Sequence, residues 1–475
     1  MEPAGVLERY RPLFEPRSIA VVGASDNPFK LGFQSLLAVK TAGFTGDVYP
    51  VNPSSEGEIQ GLTAYRSISD LPEGIDLFVY AIPDNLIIPA VMESVERGGR
   101  AGVIFAGGFR ESGEEGGRRQ RELVETADRG GMKLIGPNCI GVLNTHSRLN
   151  ATFAAALGYL QPGTISVVSQ SGGVGTCILS QLTDEAVNIG KFVSIGNRAN
   201  VEFADMVEYL SADPDTSVIC LFVEGFDDAR DFLMRARIAS GRKPVVVCNL
   251  GYTEHSSRAA LSHTGSMASS EAVYSGAFAQ AGILRADDIA QMVMAAKAFS
   301  MGAGLKGNGV FISTHTAGPA IVITDYCERR GVRFPELQPE RAERIAGFLP
   351  PHSNPANPLD MFAFAWTDTS LYLKATDAAL GQDDIHCAVA VFQSGTGSGM
   401  TFPAREYAEI GRRHGKPVFL CLTAPAIFAQ EMVDIQAEGV VTFNRAEKTA
   451  NALVALTRHY ELTRGGTGEG VSPPS

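Results

Sequence analysis

No stretch of the 475-residue chain stays apolar long enough to span a bilayer, and no basic-then-apolar leader opens it. A cytoplasmic protein that leaves membranes alone is the expectation. Basic residues are in short supply: 40 Lys and Arg face 52 Asp and Glu, a net charge of −12. That balance excludes broad, nonspecific affinity for nucleic acid or anionic membrane. Cysteine is sparse and scattered, at positions 139, 177, 220, 248, 327, 387 and 421, with no C-x-x-C pair. The spacing argues against a zinc ribbon and a disulfide scaffold, and no metal site is expected. The cysteines that fall in apolar runs read as buried, reduced thiols. Aromatic residues make up only 8%, so the cores must be built largely from aliphatic side chains.

What the chain has in quantity is glycine, 51 residues, within a composition that is 45% hydrophobic. Its length accommodates roughly three domains. The first reads as a βαβ series. Ser18-Ile-Ala-Val-Val22 is a strand, Gly23 to Gly32 a glycine-bounded turn, and Phe33–Lys40 a helix. Strand, glycine turn and helix form the unit whose backbone N–H groups hold phosphate at a helix N-terminus. This turn lacks the G-x-G-x-x-G spacing, which counts against an NAD-type dinucleotide fold. Four more strands follow: Asp47–Val51 running into Asn52-Pro53, Leu77–Ile82 closed by Pro83, Ala101–Phe105 closed by Ala106-Gly-Gly-Phe-Arg110, and Met132–Ile135 closed by Gly136-Pro-Asn-Cys139. Helices are expected between them, over Asn85–Arg97 and Gly117–Arg129 for example. The alternation predicts a parallel sheet with helices on both faces. One strand ending in Gly, Pro or Asn is ordinary turn chemistry. Five along one sheet edge leave the backbone open to a long, phosphate-bearing ligand.

A second series begins with the strand Thr164–Val168, followed by Ser169-Gln170-Ser171-Gly172-Gly173-Val-Gly175 and a helix from about Thr176. Small residues at a helix start make an anion cradle from free N–H groups, the positive dipole end and nearby hydroxyls. Lys191–Ile195 leads into Gly196-Asn-Arg-Ala-Asn200, then a helix over Glu202–Ser211. The buried strand Val218–Val223 ends in Glu224-Gly225. Pro244–Cys248 precedes the segment Arg258-Ala-Ala-Leu-Ser-His-Thr-Gly-Ser-Met-Ala268, which sets His263 among small residues. Glu224 and His263 thus both belong at the C-terminal edge of a sheet, where open α/β folds keep their ligands. A neutral imidazole there can act as nucleophile or proton carrier. A carboxylate beside it can accept its ring N–H and set its tautomer. Taken singly, each is as readily a loop histidine or a solvated strand-end acid.

Val22-Gly-Ala-Ser25, Tyr49-Pro-Val-Asn-Pro53, Gly108-Phe-Arg-Glu111 and Gly136-Pro-Asn-Cys139 resemble the CoA-binding domain of the NDP-forming acyl-CoA synthetases. That family includes succinyl-CoA synthetase and the ADP-forming acetate–CoA ligases, and the resemblance is to the α subunit of the acetate type above all. It implies a Rossmann-like CoA-binding domain over residues 1–145. Two flavodoxin-like doubly wound domains would follow, 146–300 and 301–462, and then a Gly/Ser/Pro-rich disordered tail, 463–475. It implies CoA contacts from Gly23, Ala24, Ser25, Lys30, Val51, Asn52, Pro53, Ile82, Pro83, Gly107, Gly108, Phe109, Asn138 and Cys139. Ser-His-Thr-Gly resembles the family's phosphohistidine loop, with His263 as the phosphorylated residue and Glu224-Gly225 as the pair that stabilises it. Ser169, Gln170, Ser171, Gly172 and Gly173 resemble the phosphate-binding helix start, and Ser194–Asn197 an adjacent family loop. The implied activity is that of an acid–CoA ligase that interconverts acyl-CoA, ADP and phosphate with acid, CoA and ATP.

The third segment opens after a glycine-rich stretch, Met301–Gly309. Val310–Thr314, Ala388–Phe392, Pro417–Leu422 and Gly439–Phe443 read as its strands, with a helix over Ala320–Arg329. Asn357-Pro-Leu-Asp360 resembles a family motif. His315 stands where the family carries no histidine and is expected to be structural or interfacial. No further segment is long enough for an ATP-grasp module, so ATP or ADP with Mg²⁺ is expected on a separate β subunit, in a dimer or an α2β2 assembly. Two departures stand out: Asn249-Leu-Gly where the family often has Lys-Ala-Gly, and Met267-Ala-Ser269 where Leu-Ala-Gly is usual. Loss of the lysine is the best support for a rival reading, a non-catalytic CoA-binding or regulatory protein of the same fold. Retention of both His263 and Glu224 is the best argument against it.

Overall fold

The five apolar runs of the first segment pair side by side in a computed structural model that describes residues 3–249, 271–350, 353–394, 401–424 and 429–465. Strands β1 (Ser18–Val22), β2 (Asp47–Val51), β5 (Leu77–Tyr80), β6 (Ala101–Ile104) and β7 (Lys133–Ile135) form one parallel sheet in the order β2-β1-β5-β6-β7. Strands β3 (Glu58–Ile59) and β4 (Leu62–Thr63) make a small separate hairpin. β5 and β6 are buried along their whole length, as expected of strands covered by helices on both faces. Pro50 is tolerated because β2 is an edge strand, where a missing N–H breaks no ladder. The chain leaves β1 for β2 and returns on the other side as β5. The topological switch point therefore lies between β1 and β5, at their C-terminal ends.

The second sheet contains β8 (Gly141–Asn144), β9 (Leu149–Thr152), β10 (Pro162–Ser169), β11 (Ile189–Ser194), β12 (Val218–Val223), β13 (Val245–Asn249) and β14 (Leu284–Ala286), in the order β14-β13-β12-β10-β11-β8-β9. β10 to β13 are parallel, as expected. β8 and β9, which the sequence reading did not assign, run antiparallel to their neighbours. Their buried residues include Asn144, Asn150 and Thr152, so no apolar run marks them. Local bonds satisfy these groups: Asn144 Nδ2 donates to the Phe14 carbonyl at 3.0 Å, and Thr152 Oγ1 to Asn150 Oδ1 at 2.6 Å. The limit expected at residue 145 thus falls between two strands of the second sheet.

Three helices start earlier than the sequence pattern predicts: Glu114–Arg129, Gly172–Asp184 and Ala317–Glu328. In the first two, a glycine packs closely inside the helix. A Cβ on Gly116 would stand 1.9 Å from the Phe109 carbonyl oxygen, and one on Gly175 would stand 2.7 Å from the Phe192 ring.

Both sheets belong to one compact unit, Met1–Arg285. The loop after β7 and the loop after β11 are joined backbone to backbone: Gly136 N–H donates to the Ile195 carbonyl (3.2 Å), Asn197 N–H to Pro137 (2.9 Å) and Ala199 N–H to Gly136 (2.9 Å). The helix Pro3–Phe14, which the sequence reading did not assign, stacks Phe14 on Tyr209 with ring centres 4.6 Å apart.

The second unit, Ala286–Ser475, carries β15 (Val310–Thr314), β16 (Leu359–Asp360), β17 (Cys387–Gln393), β18 (Val418–Thr423) and β19 (Val441–Phe443) in a parallel sheet ordered β16-β15-β17-β18-β19. Asn357 brackets it. Its side chain accepts from Ile312 N–H (3.1 Å) and donates to the carbonyls of Val310 (2.8 Å) and Pro335 (3.0 Å). His315 packs against Phe392, and its Nδ1 lies 2.9 Å from the Tyr372 hydroxyl. That hydroxyl donates to the Val391 carbonyl at 2.7 Å, so it accepts from a protonated Nδ1. Burial lowers the pKa of His315 and keeps it neutral. The last helix runs to Gly465, so residues 463–465 of the expected tail are helical; 466–475 lie outside the described residues. No described helix is long and apolar enough to cross a membrane.

Candidate active site

The joined loops bring the C-terminal edges of the two sheets onto one cavity of about 330 Å³, lined from the first sheet by Leu31, Phe105, Arg110, Glu111, Asn138, Cys139 and Ile140. From the second come Phe153, Gln170, Ser171, Gly172, Gly173, Gly196, Asn197 and Glu224. The expected phosphate cradle and the expected carboxylate therefore share one space. His263 and Ser269 lie outside the described residues.

The cradle is the first turn of the helix Gly172–Asp184. Ser171 is its N-cap, its hydroxyl accepting from Val174 N–H at 3.4 Å. The N–H groups at a helix start have no partner within the helix, and they face an anion at the positive dipole end. A Cβ on Gly173 would meet nothing within 4 Å, whereas one on Gly172 would strike Ile140 at 2.6 Å. One glycine leaves room above the turn; the other lets it seat closely. Ser169 stands behind the cradle. It is buried, and its hydroxyl donates to the Ser171 carbonyl at 2.6 Å, so it shapes the loop, contrary to the expectation that it offers a hydroxyl to the anion. Gln170 turns toward β12: its Oε1 accepts the N–H groups of Glu224 (3.1 Å) and Gly225 (3.2 Å).

Among the expected CoA contacts, Gly23, Ala24 and Ser25 follow β1; Val51 ends β2, with Asn52 and Pro53 after it. Ile82 and Pro83 follow β5, Gly107 and Gly108 follow β6, and Asn138 and Cys139 follow β7. All sit on one sheet edge. Asn52 ties two of these turns together, its Nδ2 donating to the Ala24 carbonyl at 2.7 Å. Phe109 is fully buried, with Arg119 5.0 Å over its ring, and the Val51 side chain is in the core, so at both positions a contact would have to come from the backbone. Cys139 is buried with its thiol on the Ile104 carbonyl (3.3 Å), and burial pushes its pKa up to about 12. It lines the cavity as a protonated thiol and cannot serve as a nucleophile. Lys30 is exposed at the start of the helix Leu31–Thr41 beside Phe29, which is 97% exposed.

Three polar residues that line the cavity were not assigned to the site by the sequence reading: Arg110, Glu111 and Asn197. Glu111 accepts from Gly108 N–H at 2.6 Å and from the Asn197 amide, which binds the two edges through side chains as well. Arg110 brings a cation to the cavity and pairs with Asp227 at 2.5 Å. The signal was there, since Gly108–Glu111 and Ser194–Asn197 were both singled out as motifs, but only their folding together shows what they face.

Asp227 also receives Arg198 Nη2 at 2.8 Å and lies against Glu202. The two carboxylates divide the load. Arg198 and Arg110 offset burial and hold Asp227 below its usual pKa. Burial raises Glu202 to about 7, with the negative charge of Asp227 adding to it and Arg198 opposing. Between about pH 4.5 and 7 folded Glu202 keeps a proton that the unfolded chain has released, so its contribution to stability falls as pH rises through that window and is level above it. In Glu202→Gln that fall should vanish. Urea denaturation from pH 4.5 to 8 should show parent and variant diverging by on the order of 1 kcal/mol across the window, after allowance for the residue's partial exposure.

Two sheets, one parallel and one mixed, bring their strand ends to one helix N-terminus and one half-buried carboxylate in an α/β protein. Residues 17–145 match the CoA binding domain family, and 162–299 the succinyl-CoA ligase-like flavodoxin domain family. The chain is 37% identical to the α subunit of ADP-forming acetate–CoA ligase II of Pyrococcus furiosus, over 95% of this chain and 98% of that one. It is 34% identical to the α subunit of isoenzyme I of the same organism, over 94% and 96%. A solved structure, the dinucleotide-forming acetyl-coenzyme A synthetase 1 of Candidatus Korarchaeum cryptofilum in complex with phosphate and ADP, superposes with a TM-score of 0.87 at 30% identity, covering 96% of this chain and 98% of that one. The chain belongs to the family of ADP-forming acetate–CoA ligase α subunits.

Proposed function

We propose that this chain is the CoA- and phosphate-handling subunit of a cytoplasmic ADP-forming acid–CoA ligase. The supporting observation is the convergence of the Gly172–Gly173 cradle and Glu224 on one cavity at the strand ends of the CoA-binding sheet. CoA runs along Gly23–Ser25, Lys30, Asn52–Pro53, Ile82–Pro83 and Gly107–Gly108, toward Asn138 and Cys139. Orthophosphate on the amides of Gly172 and Gly173, flanked by Ser171 and Arg110, attacks the thioester carbonyl of acyl-CoA. The C–S bond breaks, CoA leaves as thiolate, and an acyl phosphate forms. His263 Nε2 then attacks phosphorus, the P–O bond to the acyl group breaks, and the carboxylic acid departs as its anion. Glu224 accepts the Nδ1–H and stabilises the charge that grows on the ring. The chain's contribution is placement and charge stabilisation around a transferring phosphoryl group.

ADP and Mg²⁺ belong on a separate ATP-grasp β subunit, in an α2β2 or simpler assembly, and transfer from His263 to ADP completes the cycle. The proposal assigns CoA binding to residues 1–145, phosphoryl chemistry to 146–300, and a second flavodoxin-like domain to 301–462. Purified chain mixed with its β subunit, Mg²⁺ and γ-labelled ATP should take up an acid-labile, base-stable label. His263→Ala should take up none. Label of equal amount in His263→Ala, or none in the parent, rejects the relay.

A further inference from the structure

The turn that carries Glu224 follows the end of β12. Side chains from three other strand ends bond to its backbone. Asn249, at the end of β13, donates its amide to the Val223 carbonyl at 2.6 Å. Gln170, after β10, accepts both the Glu224 and Gly225 N–H groups on one oxygen. Arg198, after β11, donates Nη1 to the Gly225 carbonyl at 2.6 Å. All three are buried, at 1%, 8% and 3% exposure, so water does not compete for these bonds. Arg198 is held with φ of +59°, a left-handed conformation that an arginine adopts only where its surroundings enforce it.

We propose that Gln170, Arg198 and Asn249 form a clamp on the Val223–Gly225 backbone that aims the Glu224 carboxylate into the cavity, and that they are positioning residues for the phosphoryl-transfer step. The proposal rests on the role given above to Glu224. Gln170 sits between Ser169 and Ser171, so the anion cradle and the carboxylate are fixed to each other through one side chain. Arg198 is itself oriented by Asp227, which also holds Arg110 at the cavity. Asn249 thereby gains a function: its amide bonds the residue that precedes Glu224. Preorganised donors and acceptors of this kind act on the rate of the step more than on substrate binding, because a displaced carboxylate still permits CoA to bind.

The test uses the full chain, with acetyl phosphate as phosphoryl donor so that no nucleotide is needed. Gln170→Met keeps the volume and removes the acceptor. Arg198→Met removes the donor, and Arg198→Lys returns one. Both methionine variants should form phosphoenzyme about 10- to 100-fold more slowly than the parent, with CoA affinity by calorimetry within about twofold. Arg198→Lys should recover part of the rate. Independently, hydrogen exchange of the Glu224 and Gly225 amides should quicken about tenfold or more in Gln170→Met, while Val218–Phe222 stays protected. Unchanged exchange at those two amides overturns the clamp. Faster exchange with a parental phosphorylation rate overturns the positioning role. A parent chain that takes no label, from acetyl phosphate or from ATP, speaks against the proposed function, and the exchange comparison still decides the clamp.

Discussion

Glu224→Gln is expected to lower acyl-CoA-dependent ATP formation, assayed with the β subunit, by roughly 100-fold or more, with CoA affinity unchanged within about twofold. The substitution preserves shape and the backbone clamp but removes the negative charge, and it puts a donor where an acceptor is needed. An orienting acid that becomes an amide favours the wrong imidazole tautomer and no longer stabilises the ring as charge builds on it; losses of this kind run from about 10² to 10⁴. The half-buried site makes the effect larger than it would be in water, since opposing charges in a partly desolvated cavity interact more strongly. Steady-state kinetics together with calorimetric titration of CoA separate the two readouts. A variant with parental turnover would remove Glu224 from the mechanism and leave the cavity as a binding site alone. Weakened CoA binding with intact turnover would assign Glu224 to the ligand groove.

Gly196→Ala should damage the junction that joins the two sheet edges. Gly196 has φ of +59°, and a Cβ there would stand 2.3 Å from the Pro137 carbonyl oxygen and 2.7 Å from that of Asn138. Both neighbours are backbone, so neither can move aside without breaking the bonds from Asn197 and Ala199 that join the two sheet edges. Steric overlap with backbone and an unfavourable left-handed alanine together should cost about 3 kcal/mol. Scanning calorimetry should show the transition of the unit Met1–Arg285 lowered by roughly 5–10 °C, and CoA affinity should fall because the Asn138 and Gly107–Gly108 turns lose their backing. An unaltered melting temperature would mean that the junction can open by an ångström without loss, and the cavity would then have to be treated as adjustable.

The βαβ series was legible because fully buried parallel strands are short apolar runs with punctuating turns, and the runs from Ser18 to Asn249 stand out by that pattern. The anion cradle was legible for a similar reason: Ser-Gly-Gly at a helix start is a local arrangement of N–H groups that needs no distant partner. Where the pattern failed, polar side chains were buried or glycines packed. Asn144, Asn150 and Thr152 hid a hairpin, and Gly175 stood before the expected helix start while sitting inside the helix. Ser169 and Phe109 were assigned to ligands by position along the chain, but one turns its hydroxyl back on its own loop and the other lies beneath Arg119.

By itself, then, the order of residues determined the α/β class and the kinds of side chain that gather at the strand ends. Those properties follow from local propensity, burial periodicity and family motif, all of which are read within a few tens of residues. The tertiary structure alone decided which strand ends meet. Loops at 136–139 and 195–199, some sixty residues apart, zip together, and Arg110 arrives beside the cradle. Three buried side chains from separate strand ends converge on the backbone of Val223–Gly225. Such convergence is set by sheet order and by close backbone approach at Gly196, which are long-range steric facts with no local trace in the chain.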